Sequence, residues 1–87
     1  MKTCDSLQHA FGIVLRNARQ AASLSQEALA HQAGLDRTYI SLLERGHRQP
    51  TLCSLFRIAA VLNTPAQDLV ANTEKEMTCT LNATGNL

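Results

Sequence analysis

The feature that most constrains this chain is a set of small and branched residues at fixed spacing between residues 26 and 45. With Gln26 as the first position, Ala30 is fifth, Gly34 ninth and Ile40 fifteenth, and Leu29, Leu35 and Leu43 fill the other inward positions. Each has a steric reason. Two helices crossing at about 90–120° through a turn of three or four residues bring their backbones together, and Ala30 is small enough for that approach. The turn needs positive φ, which glycine adopts freely, and Gly34 stands there. The second helix must then lock onto the first, and β-branched Ile40 does so with few rotamers to lose. Any one of these residues is common; the set at this spacing defines two short helices held around a tight turn.

The rest of the chain reads as further helices. From Ser6 to Ala22, the residues Leu7, Phe11, Val14, Leu15, Ala18 and Ala22 recur at spacings of three and four, the stripe of an amphipathic helix. Gly12 inside it costs up to about 1 kcal/mol relative to alanine, which points to close packing there or to local weakness. Ser25 is placed to cap the second helix, Gln26 to Ala33, with Glu27 in its positive first turn. Asp36 is placed to cap a third running to Arg45 and stopped by Gly46, with Leu35 and Ile40 as a hydrophobic staple. After His47–Pro50, Thr51 opens a fourth helix whose buried side is predicted to carry Leu52, Leu55, Phe56, Ala59 and Leu62. Thr64-Pro65-Ala66-Gln67 then offers a cap, a proline in the first turn and a capping-box glutamine for a brief fifth helix ending near Asn72.

Residues 73–87 carry no helical stripe. Met77, Cys79 and Leu81 alternate with Thr78, Thr80 and Asn82, which predicts a frayed terminus or a short strand. The expected organisation is therefore an all-α domain over residues 6–72 followed by a tail over 73–87.

Composition removes several classes of function. Eighty-seven residues, 45% hydrophobic and 17% charged, suffice for one small core and are too apolar for general disorder. No apolar run approaches the ~18 residues of a spanning helix, and the N-terminus lacks the basic-then-apolar order of a leader; a cytoplasmic protein is expected. Cys4, Cys53 and Cys79 are odd in number and far apart, and His9, His31 and His47 are scattered, so neither a disulfide framework nor a metal site is indicated. Cys53, among apolar residues, is expected to be buried as a small hydrophobe. No nucleophile–base pair, phosphate-cradling glycine loop or carboxylate pair emerges, and no cofactor or small-molecule ligand is implied; an enzyme is not expected.

Charge becomes informative when counted locally. The chain as a whole is +1, but residues 37–57 hold Arg37, Arg45, Arg48 and Arg57 against Glu44 alone, a net of +3. Positive charge is thus concentrated on the second helix of the motif and just beyond it, where a phosphate backbone would lie. The two helices around Gly34 then read as a helix-turn-helix. Leu24 to Ala30, Gly34 to Ser41 and Leu43 to Gly46, with Pro50-Thr51-Leu52 and Leu62-Asn63-Thr64-Pro65, resemble the phage-repressor-like (Cro/repressor, Xre-type) DNA-binding domains over roughly Phe11 to Ala71. The resemblance implies a five-helix, lambda-repressor-like fold with the helix-turn-helix on helices 2 and 3. The run Asp36-Arg37-Thr38-Tyr39-Ile40-Ser41 and the small size are also similar to the controller proteins of restriction–modification systems.

Helix 3, residues 36–45, is expected in the major groove with its N-terminal residues toward the base edges. Arg37 is the first candidate reader, because its guanidinium matches the two acceptors of guanine; Thr38 and Ser41 follow, and Tyr39 has either a DNA contact or a packing role. Arg45 and Arg48, with His47 beside them, are candidate backbone clamps. The family resemblance implies that Gln26 grips a phosphate and that Arg19 and Glu44 pair across helices 1 and 3 as a structural brace. One motif reads about half a helical turn, so a homodimer on an inverted-repeat operator is expected. Val61, Leu69, Val70 and Met77 are the candidates for its interface. RNA polymerase is a further partner left open, with nothing in the sequence to place it. The competing reading is a protein-interaction module, such as an antitoxin-like partner on the same scaffold, since fold alone does not settle function.

Overall fold

Short-range signals set most of the helix boundaries. The computed structural model describes residues 2–85 and the side chains of residues 5–78, and it is all-α there, with no strand among the described residues. Five helices follow in order: α1 (Lys2–Ala21), α2 (Gln26–Ala33), α3 (Arg37–Glu44), α4 (Leu52–Leu62) and α5 (Ala66–Gly85). At the start of α2, Ser25 Oγ accepts the Ala28 N–H at 3.0 Å, and at the start of α4, Thr51 Oγ1 accepts the Ser54 N–H at 3.0 Å. These bonds satisfy donors that a helix end leaves without partners. Gly34, at φ 69°, ends α2 and lets the Leu35 N–H reach back to the Ala30 carbonyl at 2.8 Å.

Two expected caps are absent. Asp36 precedes α3 but its side chain makes no capping hydrogen bond. The Thr64 hydroxyl donates to the Leu62 carbonyl at 3.2 Å and so belongs to the end of α4, leaving Pro65 as the residue before α5 and no capping box. Arg45, predicted as the last residue of the third helix, stands just past it, followed by Gly46 at φ 76°.

The C-terminal prediction needs a larger correction. No strand follows Asn72 among the described residues, for α5 continues past it to Gly85. The stripe that supports it was disguised by a threonine. Leu69 and Thr73 are buried one turn apart, and the Thr73 hydroxyl donates to the Leu69 carbonyl at 2.7 Å, so a polar residue occupies a core position without an unsatisfied group. The hydroxyl of the exposed Thr78 likewise donates one turn back, to the Glu74 carbonyl at 3.0 Å. The side chains of Cys79 and Leu81, part of the alternating pattern, lie outside those described.

The core is continuous through Phe11, Leu15, Leu29, Ile40, Leu43, Ile58 and Leu69, drawing on all five helices. α1 lies against both α3 and α5, while α2 packs on α3 and α4. On α4 the buried side is Leu55, Ile58, Ala59 and Leu62, and two residues predicted to share it, Leu52 and Phe56, are 75% and 61% exposed. Cys53, predicted buried, is exposed on the same outer side. α4 is apolar nearly all round, so its own sequence does not choose which side faces inward.

Candidate nucleic-acid interface

The helix-turn-helix is assembled from the residues that its sterics demand. Ala30 and Ile40 are buried between α2 and α3, and Gly34 holds the left-handed turn. The third support comes from α1. A Cβ on Gly12 would stand 2.6 Å from the Glu44 carbonyl oxygen and 2.7 Å from that of Leu43, so α1 and the end of α3 touch backbone to backbone. Gln8, one turn earlier on α1, donates from Nε2 to the Gly46 carbonyl at 3.1 Å. Of the two readings open for Gly12, close packing is the one found.

Glu44 is the only acid between residues 37 and 57, and its side chain is fully buried. Arg19 binds it with both ends of its fork, Nε to Oε2 at 2.5 Å and Nη2 to Oε1 at 3.0 Å, while Arg19 Nη1 donates to the Leu24 carbonyl. The pair thus braces α1 against α3 and also ties down the turn before α2. Gln26 Nε2 adds a second hydrogen bond to Glu44 Oε1 at 3.0 Å. Burial pushes the Glu44 carboxyl up, but the hydrogen bonds of Arg19 and Gln26 and the charges of Arg19 and Arg16 outweigh it and hold the carboxyl below its ordinary value. The hydrogen bond to Glu44 raises Arg19 in turn, against a smaller effect of burial. The consequence for the surface is simple. The one negative charge of this segment is internal and neutralised, and α3 presents only positive charge outward.

The outward face of α3 carries Arg37 and Thr38 exposed, with Tyr39 and Ser41 half-buried. Arg45, His47 and Arg48 are exposed beyond it. The Arg48 guanidinium lies 5.7 Å from the centroid of the Tyr39 ring, a cation–π contact that gives both of Tyr39's expected roles a common cause: the ring packs at the rim and orients an arginine. Arg45 Nε donates to the Ser41 carbonyl at 3.3 Å, and Arg57 Nη1 to the Gly34 carbonyl at 3.3 Å. Sequence reasoning missed the Gln26–Glu44 bond, the Arg48–Tyr39 stack and the Arg57 tether. None leaves a spacing signal, because each joins residues on different elements.

The four residues expected at a self-association surface do not form one exposed patch. Leu69 is 1% exposed and belongs to the core, so it is withdrawn from that surface. Val61 and Met77 are half-buried and Val70 is exposed. Val70 and Met77 line a crevice of about 390 Å³ together with Leu7, Phe11, Pro50 and Leu55. Among the described residues the large exposed apolar side chains are Leu52, Phe56 and Val70, of which Leu52 and Phe56 lie outside the expected set. Among the described residues no group of His, Cys, Asp or Glu is placed to hold a metal, and no helix is long and apolar enough to cross a membrane.

A tight two-helix unit with an exposed basic second helix, braced from α1, defines a DNA-binding type of protein. Residues 15–69 match the family model described as helix-turn-helix, and the chain belongs to that family, of the Xre type. Its relatives include control proteins of restriction–modification systems and other helix-turn-helix transcriptional regulators. It is 42% identical over 67 residues to the control protein C.MunI of a Mycoplasma species, spanning 76% of this chain and 90% of that one. The restriction–modification controller protein C.AhdI from Aeromonas hydrophila superposes with a TM-score of 0.70 at 40% identity, over 71% of this chain and 94% of its own. One chain of the controller protein C.Esp1396I, solved as a tetramer in complex with its natural 35 base-pair operator, superposes at 0.73 with 33% identity, over 83% of this chain and 95% of its own.

Proposed function

We propose that this protein is a sequence-specific double-stranded DNA-binding regulator of transcription, of the controller type, acting as a homodimer on an inverted-repeat operator. One observation carries the reading: the exposed surface from Arg37 to Arg48 bears Arg37, Arg45 and Arg48, while its one acid, Glu44, is buried under Arg19. With Glu44 internal, three exposed arginines are left to face phosphates, beside the exposed Asp36 at the start of α3. α3 enters the major groove, with Arg37 and Thr38 at the base edges and Ser41 and Tyr39 behind them. Arg48, held by the Tyr39 ring, and Arg45 clamp the backbone on one side, with His47 beside them. Gln26 grips a phosphate on the other side. Its amide nitrogen has two hydrogens, one given to Glu44 and one free to donate outward.

Two copies set about 34–36 Å apart would read successive turns of the duplex. The exposed Leu52 and Phe56 of α4, with Val70 of α5, offer the apolar surface that pairing needs. A cytoplasmic location goes with a DNA partner, and no catalytic step enters the mechanism. Any contact with RNA polymerase would follow from DNA binding.

Selection of bound duplexes from a random pool tests specificity, symmetry and half-site spacing together. A symmetric consensus with half-sites one helical turn apart is expected; no enrichment overturns the reading. Salt titration separates the competing module, because DNA affinity falls steeply with ionic strength through counterion release whereas an apolar protein interface barely responds.

A further inference from the structure

We propose that Arg16 of α1 is a further phosphate-binding residue, which brings a positive charge to the duplex backbone beside Gln26; the inference rests on the DNA-binding reading above and adds a contact to it. Arg16 Nε lies 3.6 Å from Glu44 Oε1, and 54% of its side chain is open to solvent. That carboxylate does not need it. Oε2 is taken by Arg19 Nε, and Oε1 already accepts from Arg19 Nη2 and Gln26 Nε2, each at 3.0 Å. The contact with Arg16 is longer than a hydrogen bond.

Two arginines thus meet one carboxylate, and the buried one, Arg19, neutralises it. Arg16 is the surplus charge. It lies near the same oxygen that holds Gln26, so the guanidinium and the Gln26 amide are neighbours at the start of α2. Glu44 therefore gathers both side chains to one place on the surface, Gln26 by a hydrogen bond and Arg16 by a looser charge contact. A guanidinium needs no rearrangement of the fold to exchange a loose contact with a shielded carboxylate for a bidentate contact with a phosphate. A purely structural role for Arg16 would be that of an exposed, weak ion pair, whose removal changes little.

The test compares the full chain with Arg16→Ala and Arg16→Lys on the operator duplex and on random duplex of equal length, across a salt series. Each phosphate contact contributes a slope of about −0.9 to log K against log salt, so its loss lowers affinity about eightfold per protomer at 0.1 M salt. Arg16→Ala is expected to lose that factor on both duplexes, with a correspondingly flatter slope and an unchanged melting temperature. Arg16→Lys is expected to restore the slope. An Ala variant with wild-type affinity and slope overturns the proposal. So does a loss confined to the operator with the slope unchanged, which would mean Arg16 acts through geometry. Failure of the unmodified protein to bind duplex in a salt-dependent way would instead overturn the DNA-binding reading itself, and that is seen without any variant.

Discussion

Replacing Gly12 by alanine probes the backbone contact between α1 and the end of α3. The added Cβ would sit 2.6 Å and 2.7 Å from the carbonyl oxygens of Glu44 and Leu43, whereas ordinary contact begins at 3.4 Å. Both obstacles are backbone atoms, so no side chain can turn away, and α1 and α3 must part by about 0.8 Å. Two effects oppose each other. Alanine is favoured over glycine inside a helix by about 0.8–1 kcal/mol. Overpacking costs about 1–3 kcal/mol, and the shift also stretches the buried Arg19–Glu44 bonds that span the same two helices. A net loss of about 1–2 kcal/mol is expected, which for a domain of this size lowers the melting temperature by about 5–15 °C. Thermal denaturation followed by circular dichroism measures it, with Gln20→Ala on the exposed side of α1 as the control. Because the displaced atoms belong to α3, the folded variant should also discriminate less well between operator and random DNA. A variant that melts higher than the parent would show that propensity alone governs this site and that the backbone contact is not made.

Arg37→Ala should cost about 1–3 kcal/mol of sequence discrimination per half-site and leave non-specific binding nearly intact, whereas Arg48→Ala should weaken all sequences alike and flatten the salt dependence; competition assays with operator and random duplexes separate the two, and equal losses from Arg37→Ala would mean that it is not a base reader. Phe56→Glu should shift the protein from dimer to monomer in sedimentation and reduce operator affinity, and an unchanged dimer would move the interface elsewhere. Glu44 links stability to acid. Its folded carboxyl is held below the ordinary value, so its contribution is full above the unfolded range near pH 4 and is lost as pH falls through the depressed folded value. Denaturant titrations of the parent and Glu44→Gln should therefore differ most near neutrality and converge in acid; a constant difference across that range would refute the linkage.

The helix-turn-helix was legible because its requirements are local. Ala30, Gly34 and Ile40 answer steric demands within fifteen positions of the chain, and the caps Ser25 and Thr51 act within three residues of themselves. The Arg19–Glu44 brace joins residues 25 apart on two helices, and the family resemblance implies it where spacing does not.

Other features depended on which helix happened to lie opposite. Thr73 reads as a break in an apolar stripe, yet it is buried because α5 lies along α1 and its hydroxyl has a carbonyl one turn back. Leu52, Phe56 and Cys53 read as core, yet α4 has apolar residues on every side, and only the positions of its neighbours decide which are left in water. The same holds for Glu44, where a single buried carboxylate gathers Arg19, Gln26 and Arg16 from two other elements. Turn and cap chemistry is fixed by neighbours in sequence, so the amino-acid order determined where this chain bends and what α3 displays. Burial and charge pairing are fixed by neighbours in space, so tertiary packing alone decided which apolar face stayed open and how the one acid of the basic segment was taken out of view.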